Sequence, residues 1–342
     1  MKPATNWKET IAPDEATRFE TYAQELGALQ QKNASGAQVH RALHAKGPPG
    51  LQASFTVLGN LPEHARVGLF AAPATYPSYV RFSNGSAGHK PDRKPDVRGI
   101  AIKLVGVKGR KLIPGMEDAP TQDFLMITTA ATPVRNVDEF LGLIRVVSSP
   151  LSGLPKMIRQ VGFGRFLQIA KTGGKSLSVP TVSLATRPYF SALPSQFGTY
   201  AVHFRLQPHA QSQAGAQAGK TFDYLSEELA ARIGREAVAF DFQAQFFVDE
   251  TRTPIEDASV EWKESDAPFV TLARLDIPPQ DLGSARGKQL QEFVERLAFD
   301  PWHSLVEFKP LGNMMRARNV AYRTSTQARR AAAEPDGSER FD

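Results

Sequence analysis

Arg318 and Tyr322 stand four residues apart in "LGNMMRARNVAYRTSTQARR" (311–330), and Arg329 follows seven residues later. A helix over 313–329 would stack all three along one face. A buried arginine without a partner is costly, so this spacing is a poor choice for mere packing. A tyrosinate would answer the charge. Free tyrosine ionises near pH ~10, so holding the anion needs an adjacent cation and usually a metal. Near the other end, "RALHAKG" (41–47) sets His44 among Arg41, Lys46 and Gly47, just ahead of a strand-like run. Histidine is scarce, with seven in 342 residues, and cysteine is absent. That absence excludes disulfides, thiolate-bound metals, iron–sulfur clusters and cysteine nucleophiles together.

The elements that must carry these groups are readable from periodicity. "PDEATRFETYAQELGALQQK" opens on helix-start signals and continues at helical spacing, so residues 1–35 hold an N-terminal helix. "LQASFTVLG" alternates Leu51, Ala53, Phe55 and Val57 with more polar neighbours, the pattern of a half-buried strand. "YVRFSNG", "VRGIAIKLVGV", "YAVHFRL", "FDFQAQFFV" and "FVTLARLDI" follow the same rule. Helical periodicity marks "VDEFLGLIRVVS", "LPKMIRQVGFGRFLQIAK", "YLSEELAARIG" and "LQEFVERLAF". Residues 209–220 are small and polar and predict a flexible loop, and 331–342 predict a flexible tail. Strands without regular βα alternation give an α+β chain with an antiparallel sheet or barrel, all of 1–342 forming one domain.

Apolar residues are 41% and charged residues 22% of the chain, ordinary values for a globular enzyme. The net charge of +6 is spread along the chain, with no aromatic-interleaved basic stripe, so nucleic acid is not the expected partner. No apolar run is long enough to span a bilayer, and the start has no signal-peptide core, so cytoplasm is the expected compartment. "KTGGKS" (171–176) fails as a phosphate loop, because the first glycine would fall on Ile169, and reads as a flexible turn. "SNGSAG" lacks the spacing of a hydrolase elbow, and the histidines are too scattered for zinc.

Four pieces in one order resemble the catalase superfamily. "RALHAKG" resembles its distal-histidine segment. "VRFS" (80–83) with "DVRGIAIKL" (96–104) resembles its next strand pair. "DASVEWKESDAPFVTLARLDI" resembles the stretch ahead of its proximal helix, and R-x-x-x-Y (318–322) resembles its proximal ligand motif. The resemblance implies a catalase-like antiparallel β-barrel of about eight strands with helices outside, lacking the C-terminal helical domain of large catalases. It implies haem b, with Tyr322 on the iron in the tyrosinate arrangement and Arg318 keeping that oxygen anionic. His44 would stand over the opposite haem face with Ser83 hydrogen-bonding its ring. Arg41, Arg81 and Arg329 would pair with the propionates, and Phe140 would pack near the macrocycle.

The chain also departs from the family. Where catalases carry a distal asparagine, counting back from Arg135 falls on Ile127, or on Thr128 with a one-residue slip, and Thr128 is the candidate polar group there. Paired phenylalanines that narrow the family's pocket become Thr132 and Pro133, and the residue before the histidine is Leu43. The implied function is a haem catalase or peroxidase acting on hydrogen peroxide and organic hydroperoxides. The alternatives are a fatty-acid hydroperoxide-rearranging or -cleaving enzyme, like the allene oxide synthases, and a non-catalytic haem-binding protein. A small peroxide or hydroperoxide is the expected partner, and a homo-oligomer is compatible with such a core.

Overall fold

The computed structural model describes residues 3–32, 44, 46–47, 49–86, 90–177, 180–209, 219–329 and 331–341. The chain runs α1 (Glu15–Lys32), β1 (Gly50–Val57), β2 (Thr75–Asn84), β3 (Arg98–Val105) and β4 (Thr121–Ile127). Three helices follow: α2 (Val137–Ser148), α3 (Pro150–Val161) and α4 (Phe163–Leu177). Short β5 (Tyr189–Phe190) and β6 (Ser195–Phe197) lead to β7 (Tyr200–Pro208) and α5 (Tyr224–Ile233). The order ends with β8 (Val238–Phe246), β9 (Phe269–Ile277), α6 (Ala285–Arg296) and α7 (Asn313–Arg329).

Neighbouring strands pair antiparallel throughout, and β9 returns to β1. The two-residue β5 pairs with β4 through Ile127–Phe190 and with β7 through Tyr189–Leu206, which closes the ring. The result is an eight-stranded barrel, with β6 as a short addition on β7 and seven helices outside among the described residues. Closure removes the sheet edges that would otherwise invite pairing with other chains. Alternation along each strand sends one set of side chains inward. Phe55, Phe70, Phe197, Phe240 and Phe242 are fully buried in this core. Phe242 meets Phe55 edge-on at 5.1 Å and Phe124 at 4.8 Å. Interlocked rings of this kind fill a barrel without voids.

Some elements differ from the sequence reading, each for a physical reason. Residues 121–127 form β4, which is buried on both faces and so shows no apolar–polar alternation. The predicted helix over "LPKMIRQVGFGRFLQIAK" is broken at Gly162, whose φ of 80° ends α3 and lets α4 start in a new direction. "KTGGKS" is not a turn but the last part of α4. Two glycines cost a helix only ~1 kcal/mol each, less than the packing gained by the buried Ile169 face. The tail is not loose either. Ala332 N–H donates to Arg296 O, Lys103 Nζ pairs with Glu334 at 2.6 Å, and Tyr79 Oη donates to Glu339 at 3.2 Å. Residues 331–341 therefore lie against the outside of the barrel. Of the predicted loop 209–220, residues 210–218 lie outside the described residues.

Helix α7 is aimed by its own start. The Asn313 side chain accepts the Val137 N–H and donates to Glu15, each at 2.9 Å. Arg316 bonds Glu9 at 2.6 Å, Glu15 at 2.8 Å and Glu256 at 3.0 Å, so three carboxylates converge on one guanidinium. Positions 316 and 318 differ by about 200° around a helix. Fastening Arg316 to α1 and its neighbours therefore turns Arg318 and Tyr322 the other way. Burial pushes the Glu9 and Glu15 carboxyls up, but their hydrogen bonds and charged partners outweigh it and hold both below the ordinary 4.5. Groups lowered on folding stabilise above their unfolded pKa, and that stability is lost as pH falls through the folded one. Arg316→Met should cost ~3 kcal/mol or more by stranding buried carboxylates. In urea unfolding across a pH series, the wild-type advantage should be full above about 4.5 and shrink below it. An unchanged difference at low pH would refute this coupling.

Candidate active site

His44 is held from three directions on the outer face of the barrel. Its ring Nδ1 lies 2.9 Å from Ser83 Oγ, Arg81 Nη2 donates to its carbonyl at 3.2 Å, and its backbone N–H donates to Gly85 O at 3.4 Å. Its φ of 57° is a left-handed value uncommon outside glycine. The residues that follow are bonded to the same strand end. Lys46 N–H donates to Asn84 Oδ1 at 3.0 Å, and Asn84 N–H returns to Lys46 O at 3.0 Å. The buried Lys46 ammonium then reaches Asp92 at 2.6 Å and Asp223 at 2.7 Å. Lys46 is thus an anchor, and the basic character of "RALHAKG" is structural at that position.

Below the imidazole, β3 has no side chain. A Cβ on Gly99 would come within 2.7 Å of Ser83 Oγ and 3.0 Å of His44 Nδ1. Only glycine admits the ring at that depth. Ser83 pairs with Gly99, and Gly99 with Ile127, so these three share one outward-facing row across β2, β3 and β4. The next outward row is Arg81, Ala101 and Leu125. Register places Thr128 one residue beyond this row. Its N–H donates to Arg98 O at 2.9 Å and its Oγ1 accepts the Arg98 N–H at 3.1 Å, which continues the ladder. The residue on His44's row is Ile127, which has no hydrogen-bonding group. Thr132 and Pro133 are likewise not shown as pocket walls. Thr132 Oγ1 donates to Val134 O and Ala258 O, and the Gly173 side of α4 faces Pro133.

On α7, Arg318 Nη2 donates to Tyr322 Oη at 2.6 Å, and its guanidinium carbon stands 4.8 Å from the centre of the same ring. The start of α7 is tied to the barrel by the segment 299–303. Asp300 N–H donates to Asp123 of β4 at 2.9 Å, and Trp302 Nε1 donates to Met315 O of α7 at 2.7 Å. Burial pushes the Asp300 carboxyl up to about 6, against the pull of the Trp302 amide and the charges of Arg318, Lys103 and Arg323. Alongside, Lys103 pairs with Asp123 at 2.7 Å and with Glu334 from the tail. Burial disfavours the ammonium, but its two carboxylates keep it charged. Burial also pushes His303 down to about 3, so it stays neutral beside Thr121.

The remaining sequence candidates are distributed as follows. Arg81 Nε donates to Glu295 at 2.8 Å, so a carboxylate of the chain itself already meets this arginine. Phe140 is half-buried in a cluster with Met157, Ile169 and Met314, where it ties α2 to the first turn of α7. Arg41 and the Arg329 side chain lie outside the described residues. Sequence reading missed Gly99, Asp300 and the Lys103–Asp123–Glu334 cluster. It left Ile127 and Thr128 as alternatives, and a strand-parity count from Ser83 separates them only with the register in hand. A separate cavity of about 120 Å³ lined by His203, Arg205, Trp262 and Glu264 includes none of these groups.

The solved catalases are similar to this chain over nearly its whole length. A bacterial catalase aligns with a TM-score of 0.62 at 17% identity, covering 96% of this chain and 64% of its own. A fungal catalase gives 0.63 at 15% identity, covering 96% and 65%. In sequence, a catalase-related peroxidase of Mycolicibacterium paratuberculosis (strain ATCC BAA-968 / K-10) is 27% identical over 303 residues, 84% of this chain and 88% of that protein. The chain has a catalase-like fold. No family model matches it, and it spans about two thirds of the length of the solved catalases it resembles. For this catalase-like chain, the Gly99 contact gives a direct test. Gly99→Ala should destabilise by ~1–3 kcal/mol through overpacking, and a crystal structure should show the imidazole displaced from Ser83. A native-like ring position would overturn the close-approach argument.

Proposed function

We propose that this catalase-like chain is a haem-dependent peroxidase that acts on hydroperoxides. The observation that carries the proposal is the Arg318–Tyr322 hydrogen bond of 2.6 Å on α7, whose start the 299–303 segment ties to the barrel. A phenol oxygen that accepts a hydrogen bond from a guanidinium would be a fitting oxygen ligand for ferric iron. On the outer face of the barrel, Gly99 lets the His44 imidazole seat against β3 beside Ser83. When bound, haem would supply the oxidation chemistry.

The chain's own groups supply placement and proton transfer. Tyr322 Oη would hold the iron, with Arg318 donating to the same oxygen. Arg81 would serve a propionate in exchange for its Glu295 contact, and Arg41 and Arg329 would share that role. His44 accepts the proton of the incoming hydroperoxide and returns it to the departing oxygen. Ser83 holds the ring in position through Nδ1, so the other nitrogen is the one that works. Proton transfer of this kind contributes roughly 10²–10⁴ in rate. Ile127 withholds a hydrogen bond that a polar residue could offer, worth ~0.5–1.5 kcal/mol, or about 2- to 12-fold in rate. An apolar side chain at that place favours organic hydroperoxides over hydrogen peroxide.

Protein loaded with haem should show a high-spin ferric tyrosinate absorption spectrum, and Tyr322→Phe should lose that spectrum or the haem. An identical spectrum in Tyr322→Phe would rule out the proposed ligand. Steady-state peroxidase assays should show His44→Ala slowed by about 10²–10⁴ at comparable haem content. Ile127→Asn should raise hydrogen peroxide turnover by about 2- to 12-fold relative to an alkyl hydroperoxide. No change in that ratio would show that residue 127 does not face the reacting oxygens. Full haem loading with neither oxygen evolution nor hydroperoxide consumption would replace the proposal with a haem carrier.

A further inference from the structure

The helical excursion between β4 and β5 turns a charged pair inward and a set of apolar side chains outward. Arg165 of α4 reaches Glu139 of α2 with two hydrogen bonds, at 3.0 and 2.7 Å, and both side chains are largely buried. On the same helix Phe163 is 62% and Leu167 50% exposed, and on α3 Leu151 is 97% exposed. Among the described residues nine large apolar side chains are exposed, and six of them (Val147, Leu151, Leu154, Phe163, Leu167 and Leu177) lie within 147–177. These helices do not lack a core of their own. Met157 and Ile169 are buried with Val134, and Gly153 lets α3 close onto the backbone of α2, where a Cβ would meet Arg145 O at 2.5 Å. The outward apolar set is therefore additional to what folding requires.

Spacing orders this set. Leu151 and Leu154 are three residues apart on α3, while Phe163, Leu167, Lys171 and Lys175 follow every fourth residue on α4, so each set shares a helix face. Lys156, Arg159, Lys171 and Lys175 are all exposed, and no aspartate or glutamate occurs between Glu139 and Asp223. Apolar side chains with lysine and arginine beside them, and no acid, are the pattern of a helix lying in a membrane interface. Lysine stems can then rest on the apolar side while their heads reach lipid phosphates. No helix of the described residues is long and apolar enough to cross a bilayer, so the fit is to a surface.

We propose that α3 and α4 dock the protein onto an anionic lipid surface, with Leu151, Phe163 and Leu167 entering the interface and the four cations facing the head groups. A second copy is a poorer occupant, because apposing this face to itself would bring cations against cations with no carboxylate in the segment to answer them. The proposal does not depend on haem or on peroxidase activity.

Cosedimentation of the full chain with vesicles tests it. Vesicles of phosphatidylcholine containing phosphatidylserine should bind the protein and phosphatidylcholine alone should bind it much less, with binding falling as salt shortens the Debye length. Leu151→Ser with Phe163→Ser should weaken partitioning by about tenfold or more at an unchanged thermal midpoint. Lys171→Glu, a surface change that spares the fold, should lower it about fivefold or more. Equal binding to both vesicle types, or none to either, would overturn the proposal. A dimer in sedimentation velocity that the Leu151→Ser, Phe163→Ser variant dissociates would assign the face to a second copy instead.

Discussion

Alternation along a strand allows a side chain two directions, and in a closed barrel one of them is already full. The interior between β1 and β9 is packed with phenylalanine and aliphatic residues, which have no group to offer a reaction. Chemistry on β2, β3 and β4 is therefore confined to the outer face. Ser83, Arg81, Lys103 and Asp123 all occupy outward positions of these three strands. His44 adds to that face from a separate segment, and the start of α7 is tied to β4 through Asp300 and Trp302. The barrel thus acts as a wall whose dry side gives stability and whose other side carries function.

Placing charged groups on a face that later elements cover creates an electrostatic problem, and the structure solves it by pairing nearly all of them. Lys46 has two carboxylates, Lys103 has two and Arg316 has three. Such clusters are weak sources of net stability, because desolvation offsets most of their attraction, but losing one member is costly. Their effect here is positional. Lys46 fixes the backbone that carries His44, Arg316 fixes the rotation of α7, and the Lys103 cluster holds residues 331–341 against β3.

The segment from β4 to β5 divides its two faces between different tasks. Its inner side joins α2 to α7 through Phe140 and Met314 and joins α4 to α2 through the Arg165–Glu139 pair. Its outer side is apolar and cationic. The helices that pack on the first turn of α7 through Phe140 and Met314 therefore also carry the surface proposed to meet lipid.

Local pattern alone determined much of this protein. The alternation of Leu51, Ala53, Phe55 and Val57, the helix over 313–329 and the Arg318–Tyr322 spacing depend only on residues near one another in the chain. Their geometry follows from the period of a strand or a helix. The motifs of 41–47, 80–83 and 318–322 were also legible, so His44, Ser83 and Tyr322 could be named. What the tertiary structure decided is how separate elements align. Whether Ile127 or Thr128 stands on the row of His44 is a question of register, and a slip of one residue reverses every side chain of a strand. Thr132, read as a pocket wall, is tied to Ala258, a partner 126 residues away. The tail looked free because its short polar sequence has no periodicity, yet Glu334 finds Lys103 across 231 residues. Long-range pairing of buried charge leaves no local trace, since the partner that makes a charge tolerable is chosen only when the chain has folded.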